Sequence, residues 1–200
     1  MMPSSSLFLF TVCQVGAEPA LKAEVAREHP ELRFSYSRPG FVTFKHADGA
    51  SFALDFELRS VFARAYGLSF GKGKDALRVI EAARKLQADE PGTGPGRESV
   101  PPVRLQVFER DLHPPGEDPK DYVPGARADV WREKIQSEAK VLGFTGFSID
   151  GEDSREGELV LDCIVVEEDE IWWGAHRQGF RHASWPGGQF PAAKAGHEVP

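Results

Sequence analysis

Long apolar runs are the first thing this sequence lacks. None of its 200 residues belong to a stretch approaching the roughly 20 apolar residues that a membrane helix needs. The run Leu7–Cys13 is apolar but short, and no Lys or Arg precedes it, so it does not match a secretory signal. These absences predict a soluble, cytoplasmic protein with no membrane partner.

Cysteine is almost as scarce. The two cysteines, Cys13 and Cys163, each lie inside an apolar run typical of a strand, which favours structural burial over a disulfide or a reactive site. A zinc site built from Cys163, His176 and His182 would lack both the C-x-x-C and the H-x-x-x-H spacing. No metal site is predicted.

The sequence also lacks a positive net charge. The net charge of -7 and the pI near 5.4 argue against a general nucleic-acid binder, which gains affinity by neutralising phosphates. However, Asp150–Glu170 holds ten acids and one base, a net charge of -9, so the rest of the chain sums to +2. Two segments, Arg59–Lys74 and 171–196, contain bases and no acid. Such patches attract anionic partners, although a solvated face without a partner is the commoner explanation of any one patch.

Recognisable catalytic motifs are missing as well. No G-x-S-x-G elbow occurs, and no Cys and His stand in a known catalytic arrangement. The segment "SFGKGK" lacks the third glycine of a dinucleotide fingerprint and is predicted to be a tight basic turn. Residues 92–96, "GTGPG", spell G-x-G-x-G but lead into no helix. We predict no catalytic residue in this chain.

What is present is the hydrophobic periodicity of an α+β protein. The first half predicts a strand over 7–14, a helix that begins near Pro19, and two half-buried strands around a turn at Pro39–Gly40. Leu58, Val61, Phe62 and Ala65 then have the spacing of a second helix, before a strand that closes the unit near residue 70.

The second half has a different order of elements. Asp75 is placed to cap a helix over 76–87, "VRLQVFE" alternates as a strand, and "ADVWREKIQSEAKVLG" has the pattern of an amphipathic helix. "ELVLDCIVV" and "IWWGAHR" are predicted to form a hairpin whose exposed turn is "EEDE". Alternation along the last strand sends Trp172 and Trp173 to opposite faces, so at most one of them belongs to the core.

Four stretches in the same order resemble a known family. They are "TVCQVGAEPALKAEV", "ELRSVFARAYGLS", "VRLQVFERDLHPPGED" and "IWWGAHRQGFRHASWPGG". They are similar to segments of bacterial large-subunit rRNA ribose methyltransferases of the RlmM-like, FtsJ-related type, and the likeness spans nearly all of the chain.

The resemblance implies a domain layout. A ferredoxin-like unit is expected over residues 5–72, a THUMP-like α/β unit that helps to hold RNA over 73–180, and a linker over 181–200. In that family a methyltransferase domain follows. It would carry the S-adenosylmethionine loop and the catalytic Lys-Asp-Lys-Glu set beyond Pro200, so no cofactor is expected in this chain and S-adenosylmethionine is expected for the parent protein.

The function expected from these observations is to bind large-subunit rRNA and position it for a downstream methyltransferase domain, without catalysis by this chain. An exposed aromatic side chain can stack on nucleobases while neighbouring basic side chains bind phosphates. The residues predicted to bind RNA are Arg59, Arg64, Lys72, Lys74, Trp173, His176, Arg177 and Arg181. The alternative is a protein-interaction module that docks a partner through its Trp-rich face, because aromatic and Arg enrichment marks such interfaces too.

Overall fold

The computed structural model of the protein describes residues 5–89, 102–114, 117, 120, 123, 125–149 and 157–177. The strands are β1 (Ser5–Ser6), β2 (Phe8–Val12), β3 (Leu32–Arg38), β4 (Phe41–His46), β5 (Phe52–Ala53), β6 (Ala65–Gly73), β7 (Val103–Glu109), β8 (Phe147–Ile149), β9 (Leu159–Glu167) and β10 (Glu170–Arg177). The helices are α1 (Glu18–Glu28), α2 (Ala76–Asp89) and α3 (Ala126–Val141). The predicted linker over 181–200 and the glycine-rich residues 92–96 lie outside the described residues.

The first half of the chain forms a split β-α-β arrangement. Helix α1 connects β2 to β3, and β4 lies between these two strands and antiparallel to both. β6 pairs with the other side of β2, which gives the order β3-β4-β2-β6. The predicted turn at Pro39–Gly40 joins β3 to β4, and Gly40 has the positive φ of 74° that favours glycine.

The second half extends the same sheet. β10 pairs antiparallel with β6 and with β9, and β7 lies parallel to β9 and to β8. The result is one eight-stranded mixed sheet with the order β3-β4-β2-β6-β10-β9-β7-β8. This sheet and the three helices of the described residues confirm the predicted α+β fold class. The division into units 5–72 and 73–180 stays a prediction, since strands from both parts share one sheet.

Side chains satisfy the first backbone donors of α2 and α3. As predicted, Asp75 caps α2, because its Oδ1 accepts a hydrogen bond of 2.9 Å from the backbone N–H of Leu77. Helix α3 has no capping side chain at its own N-cap residue. Instead Glu109, at the end of β7, accepts hydrogen bonds from the backbone N–H groups of Arg127 and Ala128. The carboxylate also complements the positive end of the helix dipole.

All three helices pack against one face of the sheet, called the helix face below. Leu21 and Val25 of α1 cluster with side chains of β2, β4 and β6, and buried side chains of α2 and α3 cluster with those of β7, β9 and β10. The other side, called the opposite face, holds a separate cluster whose buried members are Phe10, Val12, Phe41, Phe108, Ile164 and Val166. No helix of the described residues contributes to that cluster.

Both cysteines are buried on the helix face. Cys13 belongs to the cluster around α1 and Cys163 to the cluster around α2 and α3, and both are free thiols. Burial raises the pKa of Cys13 to about 12, and it raises that of Cys163 as well. The predicted structural role is confirmed, because a thiol with so high a pKa is a poor nucleophile at neutral pH.

The helix predicted from Leu58, Val61, Phe62 and Ala65 does not form, so that prediction was wrong. Residues 54–64 have no helix or strand, and Ala65 begins β6. Val61 is 88% exposed and Phe62 is 43% exposed, whereas a packed amphipathic helix would have buried them.

Glu24 of α1 and His29, directly after α1, explain why this segment is not helical. Glu24 accepts hydrogen bonds from the backbone N–H groups of Val61, at 2.9 Å, and Phe62, at 3.3 Å. His29 Nε2 accepts another, at 2.8 Å, from the N–H of Arg59. These donors therefore have partners without a helix. Burial raises the pKa of Glu24, but the hydrogen bonds that it accepts outweigh burial and hold the pKa below its ordinary value.

Candidate functional site

Two of the predicted RNA-binding lysines, Lys72 and Lys74, lie opposite the acidic turn of the hairpin. Lys72 Nζ is 3.2 Å from Oε1 of Glu170, and Lys74 forms an ion pair with Asp169. The hydrogen bond to Asp169 raises the pKa of Lys74 and lowers that of Asp169. Glu170 and Asp169 of "EEDE" thus face Lys72 of β6 and Lys74, which follows β6.

The two predicted arginines of the first half do not meet these lysines. Arg64 is half-buried, and its guanidinium donates to Asp111 Oδ2 at 2.8 Å and to Gln14 Oε1 at 3.0 Å. Arg59 is exposed in the irregular segment 54–64. The run of bases in Arg59–Lys74 therefore does not form one continuous surface.

Trp172 and Trp173 do point to opposite faces, as predicted. Trp173 is 8% exposed and belongs to the cluster on the helix face, so it offers little surface to an RNA. Trp172 is half-buried on the opposite face, where its ring stacks on Tyr36 with 5.2 Å between centroids. The tryptophan available to a ligand is Trp172, which the sequence did not single out.

Glycines leave room for aromatic rings on both faces of the sheet. A Cβ on Gly71 would lie 2.9 Å from Cζ2 of Trp173, and one on Gly174 would lie 2.0 Å from the carbonyl oxygen of Leu68. Gly71 and Gly73 belong to strand β6. The prediction of a tight basic turn at "SFGKGK" was therefore wrong, because β6 continues through Gly73 and its glycines lie against the indole ring of Trp173.

The remaining predicted residues, His176, Arg177 and Arg181, are not assembled into one site. His176 is buried on the opposite face, and its Nδ1 is 2.6 Å from Oδ2 of the buried Asp162. Arg177 donates to the carbonyl oxygen of Gly157 at 3.2 Å. Arg181 lies outside the described residues. The RNA-binding role of the whole predicted set stays a prediction.

Strands β3 and β4 supply basic side chains that were not among the residues predicted to bind RNA. Arg33 and Lys45 face each other across the two strands, and both are exposed. Within the described ranges neither forms an ion pair with a carboxylate. Arg38 lies over the Tyr36 ring, with 5.0 Å from Cζ to the centroid, and donates to Glu167 at 2.8 Å. That hydrogen bond raises the pKa of Arg38.

Together these residues form one band on the opposite face, called the aromatic-basic strip below. Its members are Arg33, Tyr36, Arg38, Lys45, Lys72 and Trp172. Lys72 Nζ lies 5.6 Å from the ring centroid of Tyr36 and 5.4 Å from that of Trp172, within reach of a cation-π interaction. The strip therefore combines aromatic rings with four cationic groups.

A β-bulge explains why the sequence did not reveal this strip. Strict alternation would put Phe34 and Tyr36 on the same face of β3, but the register shifts between them. Phe34 consequently pairs with Phe44 and lies under Lys22 of α1, whereas Tyr36 pairs with Thr43 and stacks on Trp172. The only signal in the sequence was the repeated combination of aromatic and basic residues in "RFSYSR".

A buried arginine holds the strip against the second half of the chain. Arg110 is 8% exposed, and burial lowers its pKa. Its guanidinium donates to the carbonyl oxygen of Val166 at 2.6 Å and to that of Pro39 at 3.0 Å. It thus ties the end of β9 to the turn that follows Arg38, which fixes the position of that side of the strip.

A pocket of about 460 Å³ opens beside Trp172. Its lining includes Phe8, Tyr36, Thr43, Ser69, Lys72 and Trp172. Phe8 is 38% exposed, so its ring adds accessible aromatic surface to the lining. A pocket of this size lies within the range of roughly 300 to 1,000 Å³ that holds small organic ligands.

The described residues offer neither a metal site nor a membrane-spanning helix. Among the described residues, no three His, Cys, Asp or Glu side chains come together as they would around a metal ion. None of the helices in the described part of the chain has the length and apolar character required to cross a bilayer.

Comparison with known proteins finds distant structural similarity. No protein-family model and no curated protein matches the chain. A possible methylase from Clostridium difficile 630 is 12% identical with a TM-score of 0.42, over 86% of this chain and 41% of that one. TrmN from Thermus thermophilus is 13% identical with a TM-score of 0.41, over 84% of this chain and 44% of that one. The chain thus spans less than half the length of either structure, and likeness at this level identifies neither a family nor an activity.

Proposed function

We propose that this chain binds RNA, without catalysing a reaction, and positions it for an S-adenosylmethionine-dependent rRNA ribose methyltransferase domain. The observation that carries the proposal is the aromatic-basic strip on the opposite face of the sheet. Its cationic groups lie on the same side of the sheet as the half-buried rings of Tyr36 and Trp172. Proteins that bind single-stranded RNA combine the same two elements, cations for phosphates and rings for bases.

The distribution of ion pairs favours one end of the strip for phosphate contacts. Lys72 and Arg38 already contact the carboxylates of Glu170 and Glu167. Arg33 and Lys45 are exposed cations beside each other. A phosphate that binds between them relieves their mutual repulsion, and it displaces no carboxylate.

The larger biological role rests on the resemblance of the sequence to RlmM-like, FtsJ-related enzymes. In that role the target is large-subunit rRNA, and the downstream domain binds S-adenosylmethionine and performs the methyl transfer. No residue of this chain is assigned to the cofactor. The chain contributes affinity and orientation for the RNA.

The test is an RNA titration of the whole chain at several salt concentrations. A fluorescently labelled rRNA fragment with a stem and an unpaired loop is followed by anisotropy. The double variant Arg33→Glu/Lys45→Glu is expected to weaken binding and to reduce the salt slope by about one unit for each phosphate that the protein no longer neutralises.

Lys85→Glu/Lys140→Glu is the matched control, because it makes the same change in net charge with exposed residues of α2 and α3. Equal affinities and equal salt slopes for the two double variants would contradict the proposal, as would the absence of RNA binding. Binding of a protein partner through Trp172, with little dependence on salt, would support the protein-interaction alternative instead.

A further inference from the structure

We infer that the pocket beside Trp172 holds one unstacked nucleobase, which makes the chain selective for RNA loops and bulges over continuous duplex. The inference rests on the proposed function and adds to it the state of the RNA that is recognised.

The walls of the pocket suit a flat aromatic ligand. Tyr36 and Trp172 stack with 28° between their ring planes and both line the pocket, and the partly exposed ring of Phe8 contributes to the lining. Nucleobases bind proteins by stacking on such rings, since every base has a π-face. With a volume of about 460 Å³, the pocket has the size of a small-molecule site rather than of a groove for a duplex.

Cations lie both in the lining of the pocket and farther along the strip, so the site can take a ligand that is anionic as well as aromatic. Lys72 lines the pocket and lies over both rings of the stacked pair. Arg33 and Lys45 lie farther along the same strip, on the strands that carry Tyr36 and Thr43. A nucleotide meets both requirements, because its base fits the rings and its phosphates meet the cations of the strip.

Polar groups are available to hold the edge of a base. Thr43 and Ser69 belong to the lining, and a hydroxyl can either donate or accept a hydrogen bond. These two hydroxyl groups can therefore bind the polar edge of a base.

A base inside a duplex cannot meet these groups, because both of its faces are covered by neighbouring base pairs. Bases in loops and bulges can be splayed out and stacked on protein side chains. The pocket therefore selects for unpaired nucleotides, whereas phosphate contacts at Arg33 and Lys45 contribute to the binding of any RNA.

The experiment uses two RNAs, a hairpin with 2-aminopurine in its loop and a duplex of equal length without unpaired bases. For the natural chain we expect tighter binding to the hairpin and a change in 2-aminopurine fluorescence as the base enters the pocket. Trp172→Ala is expected to lower hairpin affinity by about 5- to 150-fold, the range that corresponds to removing the stacking of one base, and to leave duplex affinity unchanged.

Two further variants separate stacking from other effects. Trp172→Phe keeps a ring and should lose less affinity than Trp172→Ala, while Phe62→Ala removes an exposed ring in segment 54–64 and should lose none. Equal affinity of the natural chain for hairpin and duplex, or unchanged 2-aminopurine fluorescence, would overturn the inference even if Trp172→Ala failed to fold.

The two proposals fail in different ways. If both RNAs bind equally and Arg33→Glu/Lys45→Glu weakens both, the proposed function stands and the base pocket is wrong. If neither RNA binds, the proposed function fails and the base pocket fails with it.

Discussion

The two faces of the sheet are built from the same strands but carry side chains of different kinds and different burial. On the helix face, Trp173 packs against Gly71 among apolar side chains of α2, α3 and the sheet. One residue earlier, Trp172 lies on the opposite face, where it is half-buried beside Tyr36 and Lys72. Neighbouring identical residues thus lie in different environments, because alternation along a strand sends one to the closed core and the other to a partly exposed surface.

The strongest test of this contrast is to truncate each tryptophan in turn. Trp173→Ala leaves a large cavity in a closed core and should reduce the free energy of unfolding by about 3–5 kcal/mol. Trp172→Ala removes a half-exposed ring and its stacking on Tyr36, so a reduction of about 1 kcal/mol is expected. Urea unfolding followed by circular dichroism measures both, and equal reductions would contradict the separation of roles.

The glycine after the tryptophan pair allows a second test. A Cβ on Gly174 would lie 2.0 Å from the backbone oxygen of Leu68 and 2.8 Å from the ring of Phe10, so Gly174→Ala should cost about 3 kcal/mol. Gly73→Ala is the control, because there the nearest atom, Cη2 of Trp173, is at 3.6 Å. Thermal unfolding compares the stability of both variants with that of the natural chain. A Gly174→Ala variant as stable as the natural chain would show that β10 shifts to make room.

The smallest expected effect concerns Glu24, beneath the segment 54–64. Glu24→Gln should reduce the free energy of unfolding by at most about 1 kcal/mol at neutral pH, because a carboxylate accepts the hydrogen bonds of this segment better than an amide does. The pKa of Glu24 is lowered in the folded protein, so its contribution is present above the ordinary pKa of a glutamate and is lost as pH falls through the folded pKa.

Unfolding of the natural chain and of Glu24→Gln is therefore to be compared from neutral pH into acid. The two stabilities should converge as Glu24 becomes protonated. A difference that stays constant across this range would show that the charge of Glu24 contributes nothing to holding the segment. Asp48→Asn is a useful reference, because Asp48 accepts only a local hydrogen bond from Ala50 at an exposed turn.

Much of the fold was predictable because local signals agreed with the tertiary structure. Pro19, Asp75 and Pro39–Gly40 lie at helix starts and at a turn as expected, and "EEDE" spans the turn of the hairpin formed by β9 and β10. The segment around Val61 was predicted incorrectly because its spacing fits a helix while its backbone donors are bound by Glu24 and His29. Those partners are about 30 residues or more away in sequence, so no local pattern reveals them.

The candidate site was less predictable than the fold. Charge runs pointed to Arg59–Lys74, but Lys72 and Lys74 pair with the acidic turn and Arg64 pairs with Asp111. Arg33 and Lys45 were overlooked because they are separated in sequence and meet only through the pairing of β3 with β4. Surface charge depends on which strands become neighbours, and spacing along the chain does not contain that information.

By itself the sequence determined the order of most strands and helices, the burial of both cysteines and the assignment of Trp172 and Trp173 to opposite faces. Periodicity, capping residues and turn residues act over a few positions, so they are visible in the chain. The tertiary structure decided which tryptophan is buried, where Tyr36 points after the bulge in β3, and which basic side chains share a surface. These outcomes depend on strand register and on contacts between distant segments, which arise only when the sheet assembles.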